Sequence, residues 1–239
     1  MFAHDARDSV LVIAAHPDDE TLGCGATIAR LTASGRDVHV VFAATGAAAR
    51  HDAAEIASEA VAREVAALKA DAGRAGAALG VASQTFLGFP DNRLDTVPLM
   101  DLAQSLKKLV ADLRPGIVFT HHFGDYNWDH GRVHEATLMA CRANPGEFYP
   151  RHLYSYEVLS STERTLGAPH RLFAPNVFVD ATATLDRKIA ALQCYASELG
   201  VSPHPRSPEA VRQLAGVRGS SVGIHFAEAF QLLRTVHVT

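Results

Sequence analysis

Val10-Leu11-Val12-Ile13-Ala14-Ala15-His16-Pro17-Asp18-Asp19-Glu20 joins an apolar run directly to an imidazole and three carboxylates. The apolar part has the length and β-branched content of a buried strand, so Ser9–Ala14 is expected as the first strand. Thr21–Ser34, ended by Gly35, is expected as the helix after it. The charge then stands at the carboxyl end of a strand.

The same alternation continues along the chain. Val38–Ala44 reads as a second strand, residues 52–79 as an Ala- and Glu-rich helix, and Gln84–Leu87 as a third strand. Pro98–Leu113 reads as a helix stopped by Arg114-Pro115-Gly116, and Ile117–Thr120 as another buried strand. That strand also runs into polar residues, His121-His122-Phe123-Gly124-Asp125-Tyr126-Asn127-Trp128-Asp129-His130. Beyond it, Leu153–Val158 and Val177–Val179 are strand candidates, and Leu185–Ser197 and Pro208–Leu214 are helix candidates. Short strands alternating with longer helices indicate an α/β fold with a parallel sheet covered by helices. No repeat, low-complexity tract or long linker divides residues 1–239, so a single domain is expected.

Composition narrows the function. The 239 residues are 48% hydrophobic and 20% charged, and the dispersed charges sum to −4. No basic stripe invites nucleic acid or an anionic membrane, which leaves a small soluble substrate as the expected partner. Cys24, Cys141 and Cys194 are odd in number and far apart, fitting neither a disulfide framework nor a CxxC metal site. With no membrane-length apolar run, and no signal-peptide pattern at Met1-Phe2-Ala3-His4-Asp5, the expected location is the cytoplasm.

In open α/β sheets, sites form where loops converge at the carboxyl ends of strands. A histidine and a carboxylate from the first such loop, with a histidine from the second, make a nitrogen and oxygen donor set suited to catalytic zinc. The competing reading of the first loop is a helix start, with Asp18 or Asp19 as cap and Glu20 complementing the helix dipole. That reading leaves His16 and Pro17 unexplained, and three carboxylates without a cation repel one another.

His16-Pro17-Asp18-Asp19-Glu20 after the first strand and Asp125-Tyr126-Asn127-Trp128-Asp129-His130 after a later one resemble the PIG-L/LmbE-like family of zinc-dependent N-acetylglucosaminyl deacetylases. Gly88-Phe89-Pro90-Asp91, Arg206-Ser207, Arg218-Gly219 and Ala227-Glu228-Ala229-Phe230 extend the match more loosely. The resemblance implies a Rossmann-like three-layer α/β/α sandwich with a mostly parallel sheet and the site at its carboxyl edge. It also implies one zinc per chain on His16, Asp19 and His130, with Asp18 as general base and Glu20 behind the site. The implied reaction is hydrolysis of the acetamide of an N-acetylated amino sugar, free, nucleotide-linked or part of a larger glycoconjugate. Homo-oligomer formation stays open.

Many members of that family carry His-Pro-Asp-His where this chain has Asn127-Trp128-Asp129-His130. Asn127 can donate a hydrogen bond to an oxyanion but has no proton to transfer, so Asp18 or another histidine must protonate the amine. His134, one helical turn after His130, competes as third ligand. His121 ends a strand and can support the site, His122 reads as solvated loop, and His225 reads as able to reach the pocket from the C-terminal segment. For substrate, Asp91 is expected to accept from sugar hydroxyls, Arg93, Arg206 and Arg218 to bind polar groups, and Tyr126 and Trp128 to line the mouth. Gly23-Cys24-Gly25 reads as a weak phosphate-loop fragment or as close helix–strand packing. The alternative class of function is a Rossmann-like sugar or nucleotide binder that has lost turnover. A free Asp18 beside a complete ligand set argues for hydrolysis.

Overall fold

β1 (Val10–Ala14) is buried along its whole length, and the side chains around it alternate between two cores. Val10, Val12 and Ala14 belong to one, while Leu11, Ile13 and Ala15 belong to the other. A strand covered on both faces has no polar position to offer, which is why the run is apolar throughout. The computed structural model describes residues 8–46, 51, 57–165 and 168–237.

Among the described residues, seven strands form one sheet in the order β3-β2-β1-β4-β5-β7-β6. β2 (Val38–Ala44), β3 (Ser83–Phe89), β4 (Ile117–His121) and β5 (His152–Tyr156) run parallel to β1 or to one another, whereas β7 (Ala227–Thr235) is antiparallel to both β5 and β6 (Val177–Asp180). The first core takes side chains from α1 (Asp19–Ala33), α2 (Glu59–Leu79), α5 (Leu185–Leu192) and α6 (Pro208–Ser220), including Ile28, Leu79, Leu192 and Val211. The second takes Leu102 and Leu106 from α3 (Leu99–Leu113) and Val133 and Ala136 from α4 (Trp128–Ala140). Helices thus cover both faces, giving the expected α/β/α sandwich.

β1 lies between β2 and β4, and the chain leaves it in opposite directions on its two sides. Loops after β1 and β4 diverge there to opposite faces and leave a crevice between them. Both polar clusters of the sequence meet at that crevice.

Several elements differ from expectation. α1 starts at Asp19, two residues early, and α2 starts at Glu59, capped by Ser58, whose Oγ accepts from Val61 N–H at 3.3 Å. Residues 52–56 of the expected helix, and Met1–Asp5, lie outside the described residues. α5 ends at Leu192, and α6 continues to Ser220 behind its Ser207 cap. α4 begins inside what reads as a polar loop, because its buried face carries Asp129, His130 and His134 in place of apolar residues. β7 escapes a pattern reading because Glu228 is buried within it. Among the described residues, no helix is long and apolar enough to cross a membrane.

Candidate active site

The loop Ala15–Asp18 turns sharply from β1 into α1. Asp19, first residue of α1, accepts the backbone N–H of His16 on Oδ2 at 2.8 Å, which fixes its carboxylate over the strand end. That oxygen lies 3.3 Å from His16 Nδ1 and 3.3 Å from His130 Nε2. Donor atoms of His16, Asp19 and His130 all fall within 4.8 Å of one another, the two from α1 and α4 being almost fully buried.

Each imidazole turns its other nitrogen to a carboxylate. His16 Nε2 lies 3.1 Å from Asp129 Oδ2 and 3.1 Å from Asp91 Oδ1, and His130 Nδ1 lies 3.2 Å from Asp125 Oδ2. One nitrogen toward a shared point and the other anchored on an acid is the arrangement that orients metal-ligating histidines and raises their basicity. The donor set, two imidazoles and one carboxylate, fits a catalytic zinc with room for water. His121 backs this group: its Nε2 accepts the N–H of Ala15 at 2.8 Å, and its ring stacks on His130 at 3.9 Å.

The charges follow from these contacts. Burial alone would lower His130, but the Asp19 and Asp125 carboxylates outweigh it and lift His130 to about 9. Burial likewise opposes charge on His16, yet Asp129, Asp19 and Asp91 hold it well above its ordinary value. Burial pushes Asp19 up, and His130 and His121 reverse this, leaving it well below the usual carboxylate range. Its neighbour Asp18 goes the other way. Burial drives Asp18 well above that range, with Arg206 as the main opposing charge.

Asp18 occupies the N-cap position of α1 at φ 112° without capping it. Its Oδ2 instead takes a hydrogen bond from Arg206 Nη1 at 2.8 Å. The capping is done from behind: Glu20 Oε2 accepts Asp18 N–H at 3.0 Å, while Glu20 Oε1 is held by Tyr195 Oη at 2.7 Å. The Asp18 carboxylate is thereby left to face the cleft.

A cleft of about 270 Å³ opens above, lined by residues that include His16, Asp18, Asp91, Asn127, Glu198 and Arg206. Of the residues expected to meet substrate, Asp91 lines it, with Oδ1 3.1 Å from His16 Nε2. Arg206 lines it. Arg93 is exposed and outside it. Asn127 caps α4, its Oδ1 accepting Asp129 N–H at 2.9 Å, and also lines the cleft.

His134 turns away from the shared point, its Nδ1 bonded to the His121 carbonyl at 2.8 Å. His122, expected in solvent, is buried with Nε2 on the Arg171 carbonyl at 2.7 Å, because the chain after β4 folds back under residues 168–173. His225, expected to reach the pocket, is exposed in the turn before β7 and is absent from the cleft lining. Arg218 forks onto Glu157 at 2.7 and 2.6 Å and is absent from the cleft lining. Gly23 is a packing glycine: a Cβ there would lie 2.3 Å from the Tyr156 ring. Asp125 and Asp129, which face the two imidazoles, have no role legible in the sequence. Their only signal was adjacency to His130.

Known proteins share this fold. A deacetylase of 1D-myo-inositol 2-acetamido-2-deoxy-alpha-D-glucopyranoside from Mycolicibacterium vanbaalenii is 31% identical, over 83% of this chain and 83% of its own length. The N,N'-diacetylchitobiose deacetylase of Pyrococcus horikoshii superposes with a TM-score of 0.77 at 20% identity, covering 95% of this chain and 84% of that one. GalB, the 4-carboxy-2-hydroxymuconate hydratase of Pseudomonas putida KT2440, shares the fold at a TM-score of 0.74 and 24% identity, covering 97% and 98%. Residues 11–141, from β1 to the end of α4, match the family described as PIG-L: GlcNAc-PI de-N-acetylase, and the chain belongs to that family.

Proposed function

We propose that this protein is a zinc-dependent hydrolase of the acetamide of an N-acetylated amino sugar, releasing acetate and the free amine. The observation that carries the reading is the convergence of His16, Asp19 and His130, whose donor atoms lie within 4.8 Å of one another, beside an Asp18 carboxylate that lines the cleft without joining them. Asp19 is held ionised among imidazoles, and Asp18 is pushed toward accepting a proton. Neighbouring acids driven apart in this way mark a ligand and a base. The fold by itself does not select the reaction, since a hydratase shares it.

Zinc on His16, Asp19 and His130 would supply Lewis acidity, making a water more acidic and an amide carbonyl more electrophilic. Asp18 takes the proton of the attacking water and hands it to the nitrogen as the C–N bond breaks. No other proton donor is needed, so Asn127 in place of a histidine is compatible with turnover. With Oδ1 fixed on Asp129 N–H, Asn127 has Nδ2 left to donate to the oxyanion that develops on the carbonyl. Arg206 steadies Asp18 and adds N–H groups for sugar hydroxyls. Asp91 and Asp129 hold His16, and Asp125 holds His130.

The test is acetate release from N-acetylglucosamine and N,N'-diacetylchitobiose, with the protein stripped by a chelator and reconstituted with zinc. Activity is expected only in the reconstituted protein and not in Asp18→Asn. Failure of every N-acetyl sugar at verified zinc occupancy would overturn the assignment.

A further inference from the structure

Trp128 is the only tryptophan of the chain, and it is 59% exposed although it opens a helix whose next two residues are buried. The indole is not loose. Its Nε1–H donates to the Asn92 carbonyl at 3.1 Å. Asn92 and Asn127, the residue before Trp128, both line the active-site cleft, so the ring is tied between two points of its rim. Asn92 takes the left-handed backbone at φ 50°, a conformation that asparagine tolerates better than most residues. Tyr126, two residues earlier, is 67% exposed.

We propose that Trp128 is a carbohydrate subsite, a platform on which the indole stacks against a second, neutral pyranose linked to the acetamido sugar in the cleft. The proposal rests on the deacetylase reading and narrows its substrate. The cleft, about 270 Å³, lies at the small end of ligand pockets and holds little more than one sugar ring. Anything attached to that ring leaves either past Asn92 and Asn127, where Trp128 stands, or past Gly46, Glu198 and Arg206, where cavities of about 360 and 460 Å³ adjoin the cleft. Trp128 lies outside the residues that line the cleft and borders it through Asn92 and Asn127, and the apolar C–H face of a pyranose packs on an indole held there at its polar edge. Away from the metal ligands the cleft wall carries Asp18, Asp91 and Glu198 against Arg206, whose Nη1 bonds Asp18 and Glu198, so a neutral second ring suits the rim better than a phosphate linker. Tied through Nε1 and mounted on the first residue of α4, the platform stands at a fixed position relative to His130 two residues on.

A lone tryptophan makes the test direct. The zinc-reconstituted Asp18→Asn protein binds without turnover, and its emission reports on one ring. Titration with N,N'-diacetylchitobiose is expected to shift or quench that emission and to give an affinity about tenfold above that of N-acetylglucosamine, the scale of one buried aromatic contact. Calorimetric titration of Trp128→Ala in the same background should remove most of the advantage of the disaccharide over the monosaccharide. Trp128→Phe should restore part of it. An unchanged disaccharide-to-monosaccharide ratio in Trp128→Ala overturns the platform, even with acetate release by the wild type. A Trp128-dependent preference with no acetate released from either sugar by the wild type sustains the platform and sinks the deacetylase reading.

Discussion

Arg206 Nη1 lies 2.8 Å from Asp18 Oδ2, and the same guanidinium donates from Nε to Ser160 Oγ at 2.7 Å. The acid it holds sits at φ 112°, a backbone region that non-glycine residues enter at a cost of about 1–3 kcal/mol when the surroundings over-determine them. Both backbone and carboxylate of Asp18 are therefore constrained, and the constraint points the acid into the cleft.

The pH profile follows from that pair. A base must be ionised to work, so the acid limb of kcat/KM falls as pH drops through the value for Asp18. Burial raises that value and Arg206 pulls it back. Arg206→Met removes the pull, and the limb should move to higher pH. Asp18→Asn should remove that limb and lower the rate by roughly 10²–10⁴-fold, the usual worth of general acid–base catalysis. An unmoved limb in Arg206→Met would mean that another group titrates there.

Metal retention separates the ligands from their supports. His16→Ala, Asp19→Ala and His130→Ala should each abolish stoichiometric zinc, while His134→Ala should keep it, since His134 is bonded to the His121 carbonyl. Asp129→Asn leaves the donor set intact but loosens His16, and zinc should bind about 10–100-fold more weakly, as expected when the partner of a ligating histidine is lost. Competition with a chromogenic chelator measures all five. Zinc loss in His134→Ala with retention in His130→Ala would reverse the assignment.

How far the sequence could be read depended on whether the cause was local. The strands and helices from β1 to β4 follow from apolar pattern, and the chemistry of AHPDDE follows from its place at a strand end. The family resemblance grouped His16, Asp19 and His130, which local pattern could not join. The carboxylates behind the histidines were not legible. Asp129 lies 113 residues from His16, and an acid in a polar loop looks the same whether it holds an imidazole or faces water. For the same reason His122 read as solvated, although a distant segment covers it. β7 was hidden by Glu228, whose buried charge makes sense only once Lys188 is placed beside it.

Asp125 ties the site to stability. Burial would raise its carboxyl, but His130, Ser161 and Thr162 bring it down to about 2. A folded value below the unfolded one stabilises the protein fully above about pH 4, and the stabilisation is lost as pH falls through about 2. The drop from 3.8 to about 2 corresponds to roughly 2 kcal/mol. Urea unfolding of the zinc-free protein between pH 5 and pH 2 should therefore show a steeper fall in stability for the wild type than for Asp125→Asn. Parallel curves would assign the acid sensitivity elsewhere.

The last test concerns the buried pair under α1. Lys188 Nζ lies 2.6 Å from Glu228 Oε1 and donates to the Leu22 carbonyl at 2.7 Å. Glu228 also accepts the N–H groups of Ala26 and Thr27 at 2.9 and 2.6 Å. Backbone groups inside α1 thus bond to side chains of α5 and β7, one to two turns beyond the carboxylates of the site. Breaking a buried pair from one side costs about 3–5 kcal/mol, since a charge is left without a partner. The two sides are not equivalent. Glu228→Leu leaves the Lys188 ammonium with the Leu22 carbonyl alone and takes an acceptor from two N–H groups, whereas Lys188→Met leaves a carboxylate that still has two N–H donors. Glu228→Leu should be the more damaging in urea unfolding. The double variant should be less destabilised than the sum of the two, because the second change removes the charge that the first one orphaned. Equal losses that add would show that the pair is not energetically coupled and that α1 is held by its apolar packing alone.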